Sequence, residues 1–354
     1  MTFKQQLLEK IIVLLLASAL SGPVVAQLLP STELNVVGGR SARQSYRDIE
    51  KPFWVKSLPD RSEGRVVGHI KGYDELGLKG YELFKLMRQG VIEFGVVPLS
   101  YATSDTPLFE VLDIAGLVPD FGTARQIVET LTPVLAQNMA TQQQIKLLGI
   151  TPYSPQVLFC QTPITSLADV KGKVVRTISR SQAELIEALG GKSVTIAFGD
   201  VLAAFKKKAI NCAITGAYSG FDAQWYTVSS HLLALPLGWN YEAHAVNKKV
   251  WDALSEPVQK FLLANVDLLL QSLWAYTDQQ YTTALACNTG AKGCSQAPRG
   301  QMVLVQPTAA DLLTVRRFVT QNGLEKWASR CSAQCVSDFN ASAGKLLRIA
   351  IKQP

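Results

Sequence analysis

Residues 156–240 alternate short apolar runs with helical patterns, and few folds accept that alternation. Val174-Val175 and residues 194–197 are each too short for a helix and each leads toward one, as in a strand–helix–strand unit. Ser181 and Glu184 have the spacing of a capping box, and Leu185, Ile186 and Leu189 form the buried stripe behind it. Gly190-Gly191 then ends the helix. Asp200 can cap the next helix, whose last residues, Lys206-Lys207-Lys208, suit the negative end of its dipole. Arg176 follows the first apolar run directly. Ligands of open α/β sheets bind beyond the carboxyl ends of the strands, so a cation there is placed to meet an anion.

The same rhythm runs upstream. Residues 33–37, 66–70 and 91–97 read as strands, separated by a helical stretch at 45–58 and a helix marked by Leu83, Phe84 and Met87 and closed by Gly90. Gly38-Gly39-Arg40-Ser41 and Pro98-Leu99-Ser100-Tyr101 are the loops at two of the carboxyl ends. A helix over 123–143, interrupted at Pro133, and a strand over 145–150 come next. Pro152 and Pro155 mark a crossing into the 156–240 unit, and residues 238–246 read as the crossing back. Leu262, Val266, Leu269, Leu273 and Tyr276 keep the spacing of one long helix from about 256 to 286. A strand at 302–305 and helical segments complete the chain. These breaks divide it into a leader (1–26), a first lobe (27–155 with about 241–270), a second lobe (156–240 with about 271–335) and a tail (336–354). At 354 residues the chain is long enough for two cores.

Residues 1–26 carry Lys4 and Lys10, then an apolar run from Ile11 to Leu20, then small residues ending at Ala26. That is the pattern of a secretory signal peptide cleaved near Ala26, and the run falls short of the ~20 residues that span a membrane comfortably. Six cysteines fit an oxidising compartment, with Cys160–Cys212, Cys287–Cys294 and Cys331–Cys335 as the favoured pairs. A metal site is the alternative, but the histidines (His69, His231, His244) lie far in sequence from each close cysteine pair. The net charge of +7 is scattered, and Lys206-Lys207-Lys208 has no aromatic stripe beside it, so nucleic acid is not the expected partner. Modest positive charge suits the steering of small anions.

Enzyme motifs are absent. Gly190-Gly191-Lys192-Ser193 resembles the end of a P-loop, but its first glycine would fall on Ile186. There is no GxGxxG, HExxH or GxSxG, and no catalytic residue, cofactor or metal is expected. Taken as residues alone, Arg176 equally fits an ion pair with a surface carboxylate, Phe198 a core position, and Trp239 packing between domains.

The phrases LGLKGYELFKLMRQGVIEFG, SLADVKGKVVRT, ALGGKSVTIAFGDVLAAFKKKAINCAITG and VNKKVWDAL together resemble the solute-binding proteins of TRAP (tripartite ATP-independent periplasmic) transporters, from about Thr32 to the C-terminus. The resemblance implies an α/β fold: a two-lobed periplasmic-binding-protein clamshell with mixed, mostly parallel sheets and a long helix spanning both lobes. It implies capture of a small organic acid in the periplasm and delivery to TRAP membrane permease subunits. The family's carboxylate-clamping arginine falls on Arg176, whose guanidinium offers two parallel donors that lysine cannot reproduce. The ligand-packing aromatic falls on Phe198 and a polar contact on Thr215, in a phrase that has Asn211 where an aspartate is usual. Ser100 and Trp239 complete the candidate ligand-binding set with Gln156, which stands where some members carry arginine. That departure removes one positive charge and favours a smaller or more apolar monocarboxylate. An exported sensor module of the same fold is the alternative reading; adjacent genes for membrane subunits would separate the two.

Overall fold

The alternation builds two mixed sheets. In the computed structural model, which describes residues 29–103 and 106–352, the first holds β1 (Thr32–Gly38), β2 (Val66–Gly72), β3 (Phe94–Pro98), β4 (Ile145–Pro152) and β10 (Tyr241–Asn247) in the order β2-β1-β3-β10-β4. The second holds β5 (Gln156–Cys160), β6 (Val174–Thr177), β7 (Lys192–Thr195), β8 (Cys212–Gly216), β9 (His231–Leu233) and β11 (Val303–Val305) in the order β11-β9-β5-β8-β6-β7. The proposed leader, residues 1–26, lies outside the described residues.

The crossings follow from this order. β1 runs parallel to β2 and β3, as helical connections require. The chain leaves the first sheet after β4 and returns as β10, which inserts antiparallel between β3 and β4. In the second sheet β6 is parallel to β7 and β8, while β5 is antiparallel to β8 and β9. Alternate residues of β5 serve opposite faces. Leu158 and Cys160 pack with Val175, Leu185 and Ile214, whereas Val157 and Phe159 pack with Phe205 and Trp225. That two-sided burial explains why β5 is apolar at nearly every position.

The helix Glu256–Thr289 spans both lobes. It has 34 residues, hence a length of about 51 Å at 1.5 Å per residue. Its first half (Val258, Leu262, Val266, Leu269) packs beneath the first sheet with Trp54 and Leu58, and Ala284 near its end packs with the second sheet's Phe159 and Trp225. Gly290, with φ of 73°, closes it. Among the described residues no helix is long and apolar enough to cross a membrane.

The structure departs from the sequence reading in several places. Helix Arg180–Ala188 begins earlier than expected: Ser179 is its cap, accepting from the Gln182 N–H at 3.3 Å. Ser181 instead accepts from the Ala115 N–H at 2.8 Å, and Glu184 binds Arg330. Asp200 does stand at the start of its helix, but its carboxylate reaches Lys79 at 3.5 Å and not the helix N–H groups. Pro133 does not interrupt the helix Phe121–Gln142. It is exposed, as is Glu129, whose freed carbonyl stays open to water. β3 begins at Phe94, because the Val91 and Ile92 N–H groups close the preceding helix on the Leu86 carbonyl. Helices Leu324–Ala328 and Ala333–Phe339 pack Trp327, Val336 and Phe339 against the first sheet's cluster, so the end of the chain is part of that core.

All six cysteines form disulfides, Cys160–Cys212, Cys287–Cys294 and Cys331–Cys335. The first ties neighbouring strands, β5 and β8.

Candidate ligand-binding site

Loops at the carboxyl ends of strands from both sheets meet at one cleft, which encloses about 510 Å3 of empty space counting its mouth. On the first lobe the decisive turn follows β1. A Cβ on Gly38 would stand 2.7 Å from both Ile70 and Tyr46, so glycine is what lets the chain turn there. The next N–H, of Gly39, donates to both oxygens of the buried Glu50 (3.2 and 3.1 Å). Burial, with Glu242 adding to it, pushes the Glu50 carboxyl up to about 8 against the pull of Gly39 and Arg43. The turn delivers Arg40 and Arg43 to the cleft.

These two arginines differ. Arg43 donates to both oxygens of Glu242 at 3.0 and 2.9 Å and lies 4.1 Å over the Tyr153 ring, whose hydroxyl donates to the same carboxylate. Burial works against its charge, but Glu242 and Tyr153 outweigh that and hold the pKa above normal. Arg40 forms no ion pair among the described residues. Its Nη1 is buried without a partner, and its guanidinium lies 5.2 Å over the Phe198 ring.

Arg176 stands on the second lobe, completely buried. Nε donates to the Ile196 carbonyl at 3.0 Å and Nη1 to that of Ile214 at 2.8 Å, which fixes the plane of the guanidinium. Nη2 is buried without a partner, and no carboxylate pairs with the group among the described residues. Burial pushes its pKa down, opposed by the Tyr101 hydroxyl on the cleft wall. Behind it Trp225 stacks on Phe198 at 5.4 Å, so two rings lie between the guanidinium groups of Arg176 and Arg40.

Three of the six residues expected from the sequence line the cleft: Gln156, Phe198 and Thr215. Arg176 does not itself line the cleft, but the Tyr101 hydroxyl, whose residue does, lies close to its guanidinium. Ser100 and Trp239 are one layer further back. Ser100 bonds Asp113 and Asn240, and of these Asn240 lines the cleft, while Trp239 donates to the Val118 carbonyl at 3.0 Å and packs on Phe121. Gln156 has not left the site with a single guanidinium, because Arg40 and Arg43 enter from the opposite lobe. Arg40, Arg43, Tyr73, Tyr101, Tyr153, Asp222 and Asn240 also line the cleft and were missed by sequence reasoning. The usable signal was Gly38-Gly39 ahead of Arg40, a tight turn at a strand's carboxyl end.

The family model for bacterial extracellular solute-binding proteins, family 7, matches residues 43–307. The chain belongs to that family. Its members include the TRAP solute-binding proteins that the sequence phrases resemble. A solute-binding protein of Albidiferax ferrireducens is 22% identical over 229 residues, covering 64% of this chain and 68% of that protein. Among solved structures, a Bordetella pertussis solute receptor binding pyroglutamic acid superposes with a TM-score of 0.77 at 20% identity, covering 88% of this chain and 99% of the other. A TRAP periplasmic solute-binding protein of Desulfovibrio salexigens with bound orotic acid gives 0.78 at 19% identity, covering 89% and 97%. The two-lobed α/β architecture of this family 7 chain is therefore that of TRAP periplasmic binding proteins.

Proposed function

We propose that this chain is the exported solute receptor of a TRAP transporter, capturing a small organic acid whose carboxylate is held by Arg176 and delivering it to the membrane permease. The observation that carries this reading is the Arg176 guanidinium: completely buried, unpaired by any carboxylate among the described residues, with Nη2 lacking a partner and the cleft-lining Tyr101 close by. A buried charge without a counter-charge is costly, and a bound carboxylate supplies both the charge and the second acceptor. Arg40 reinforces it from the other lobe, Phe198 gives an apolar wall, and Gln156, Thr215 and Asn240 give polar contacts. Ser100 and Trp239 act as supports behind the wall, with Ser100 holding Asn240.

The relatives' ligands agree with this chemistry, since pyroglutamic acid and orotic acid each carry a carboxylate. The role is binding and delivery without catalysis, cofactor or metal. The first lobe is residues 27–155 with about 241–270 and the second 156–240 with about 271–335, except that the helices after residue 323 belong with the first, where Trp327, Val336 and Phe339 pack. The leader is removed near Ala26 and the receptor works in the periplasm.

A thermal-shift screen of small organic acids on the mature protein tests the reading. A ligand at ~100 times its dissociation constant adds ~2.7 kcal/mol of stability, several degrees in melting temperature. Carboxylates should produce shifts that the matching amides or alcohols do not. A screen in which no carboxylate stabilises the protein would overturn the proposal.

A further inference from the structure

Asp222 is the group in the cleft that a plain carboxylate ligand leaves unexplained. It ends the short helix after β8, and its side chain lines the cleft. Among the described residues it makes no hydrogen bond or ion pair, and its Oδ2 is buried without a partner. Three arginines lie near enough to act on its charge, but none hydrogen-bonds it. Arg43 is taken by Glu242, Arg47 donates to the Ala42 carbonyl, and Arg40 lies on Phe198. The nearby Tyr218 hydroxyl donates to Gln44, which also accepts from Gln296 at 2.7 Å. An ionised carboxylate only accepts, so Asp222 needs a donor that these contacts do not supply.

The cleft thus presents two unspent donors, Arg176 Nη2 and Arg40 Nη1, and one unspent acceptor, Asp222 Oδ2. A ligand with a carboxylate alone satisfies the donors and leaves Asp222 buried beside a second negative charge. A ligand that also carries a nitrogen donor satisfies all three.

We propose that Asp222 selects ligands in which a carboxylate is joined to an ammonium or ring N–H group, so that the solute is an amino acid, an imino acid or a cyclic amide acid. This rests on the carboxylate-binding reading above and narrows its substrate class. Burial raises the Asp222 carboxyl above its usual range against the pull of Arg47, Arg43 and Arg40, and a donor from the ligand would stabilise the ionised form. Dicarboxylates are disfavoured on the same grounds, because their second anion meets Asp222.

Matched pairs test this on the mature full-length protein by calorimetric titration. L-Proline is compared with cyclopentanecarboxylate, and L-pyroglutamate with 3-oxocyclopentanecarboxylate, in which carbon replaces the N–H nitrogen. In at least one pair the nitrogen-bearing member should bind about tenfold tighter or more. Asp222→Asn keeps the shape and removes the charge, and should shrink that ratio to below about threefold while improving succinate. The wild-type comparison stands even if the variant folds poorly, which its ligand-free melting curve reports. Equal affinity within both pairs, or succinate binding wild type more tightly than either nitrogen-bearing acid, overturns the selection by Asp222 and leaves the carboxylate receptor intact. Failure of every carboxylate to bind overturns both.

Discussion

Asp113 shows how single residues behind the cleft wall tie its geometry to pH. Burial pushes this carboxyl up to about 8 from an ordinary 3.8, opposed by hydrogen bonds from Ser100 and Ser179. The folded protein holds a proton there that the unfolded chain has already released. The stabilisation is full below about pH 4 and is lost as pH rises toward 8. His244 runs the other way: burial lowers it from 6.5 to about 4, so its contribution is present above pH 6.5 and is lost as pH falls toward 4. Asp113→Asn isolates the first effect. Between pH 5 and pH 8 its melting temperature should fall less than that of wild type; equal falls would show that Asp113 does not titrate in this window. Gly38→Ala is the steric counterpart. Its Cβ would meet Ile70 and Tyr46 at 2.7 Å, and overpacking of this kind costs roughly 1–3 kcal/mol, readable by urea unfolding. No loss of stability would mean that the turn relaxes freely. The place of Arg176 near the end of β6 was legible because strand ends in α/β sheets are predictable, but its complete burial behind the cleft lining was not. Asp222 was not, since nothing local distinguishes a carboxylate facing a cleft from one facing water.

Elements were legible where periodicity and caps agreed. The stripe of Leu262, Val266, Leu269 and Leu273 is buried as its spacing required, and β6 and β7 pair in parallel as a strand–helix–strand reading expects. Local patterns misled where tertiary partners took the same groups. Ser181 and Glu184 have capping-box spacing, but Ala115 and Arg330 claim them and Ser179 caps instead. Likewise the strand order of the second sheet, with β5 between β9 and β8, could not be read from any run alone. The Cys160–Cys212 bond locks β5 to β8 across a separation of 52 residues. Replacing both cysteines by alanine should cost roughly 2–4 kcal/mol of unfolding free energy, chiefly by freeing the unfolded chain. Thiol titration of the unfolded wild type should find no free thiol, and two or more would contradict the pairing.

At the scale of the molecule, the two lobes touch across the mouth of the cleft. Arg40 lies over Phe198, Tyr218 donates to Gln44, and Lys79 meets Asp200 at 3.5 Å. Exposed pairs such as the last are worth little, so ligand contacts must provide most of the closing free energy. Small-angle scattering should therefore show a smaller radius of gyration at saturating ligand, and identical curves would argue against hinge closure. In the proposed receptor, ligand binding depends most on Arg176. Calorimetric titration of one bound carboxylate into wild type, Arg176→Ala and Arg176→Lys, beside melting curves of the same ligand-free proteins, tests it most directly. The alanine variant should lose ~2–5 kcal/mol of binding free energy and the lysine variant should recover only part of it, because an ammonium keeps the charge without the fork. The alanine variant should also melt lower without ligand, because it orphans the Ile196 and Ile214 carbonyls and leaves a cavity, so affinity is the deciding readout. Near-normal affinity with a lowered melting temperature would make Arg176 a structural residue and contradict the account.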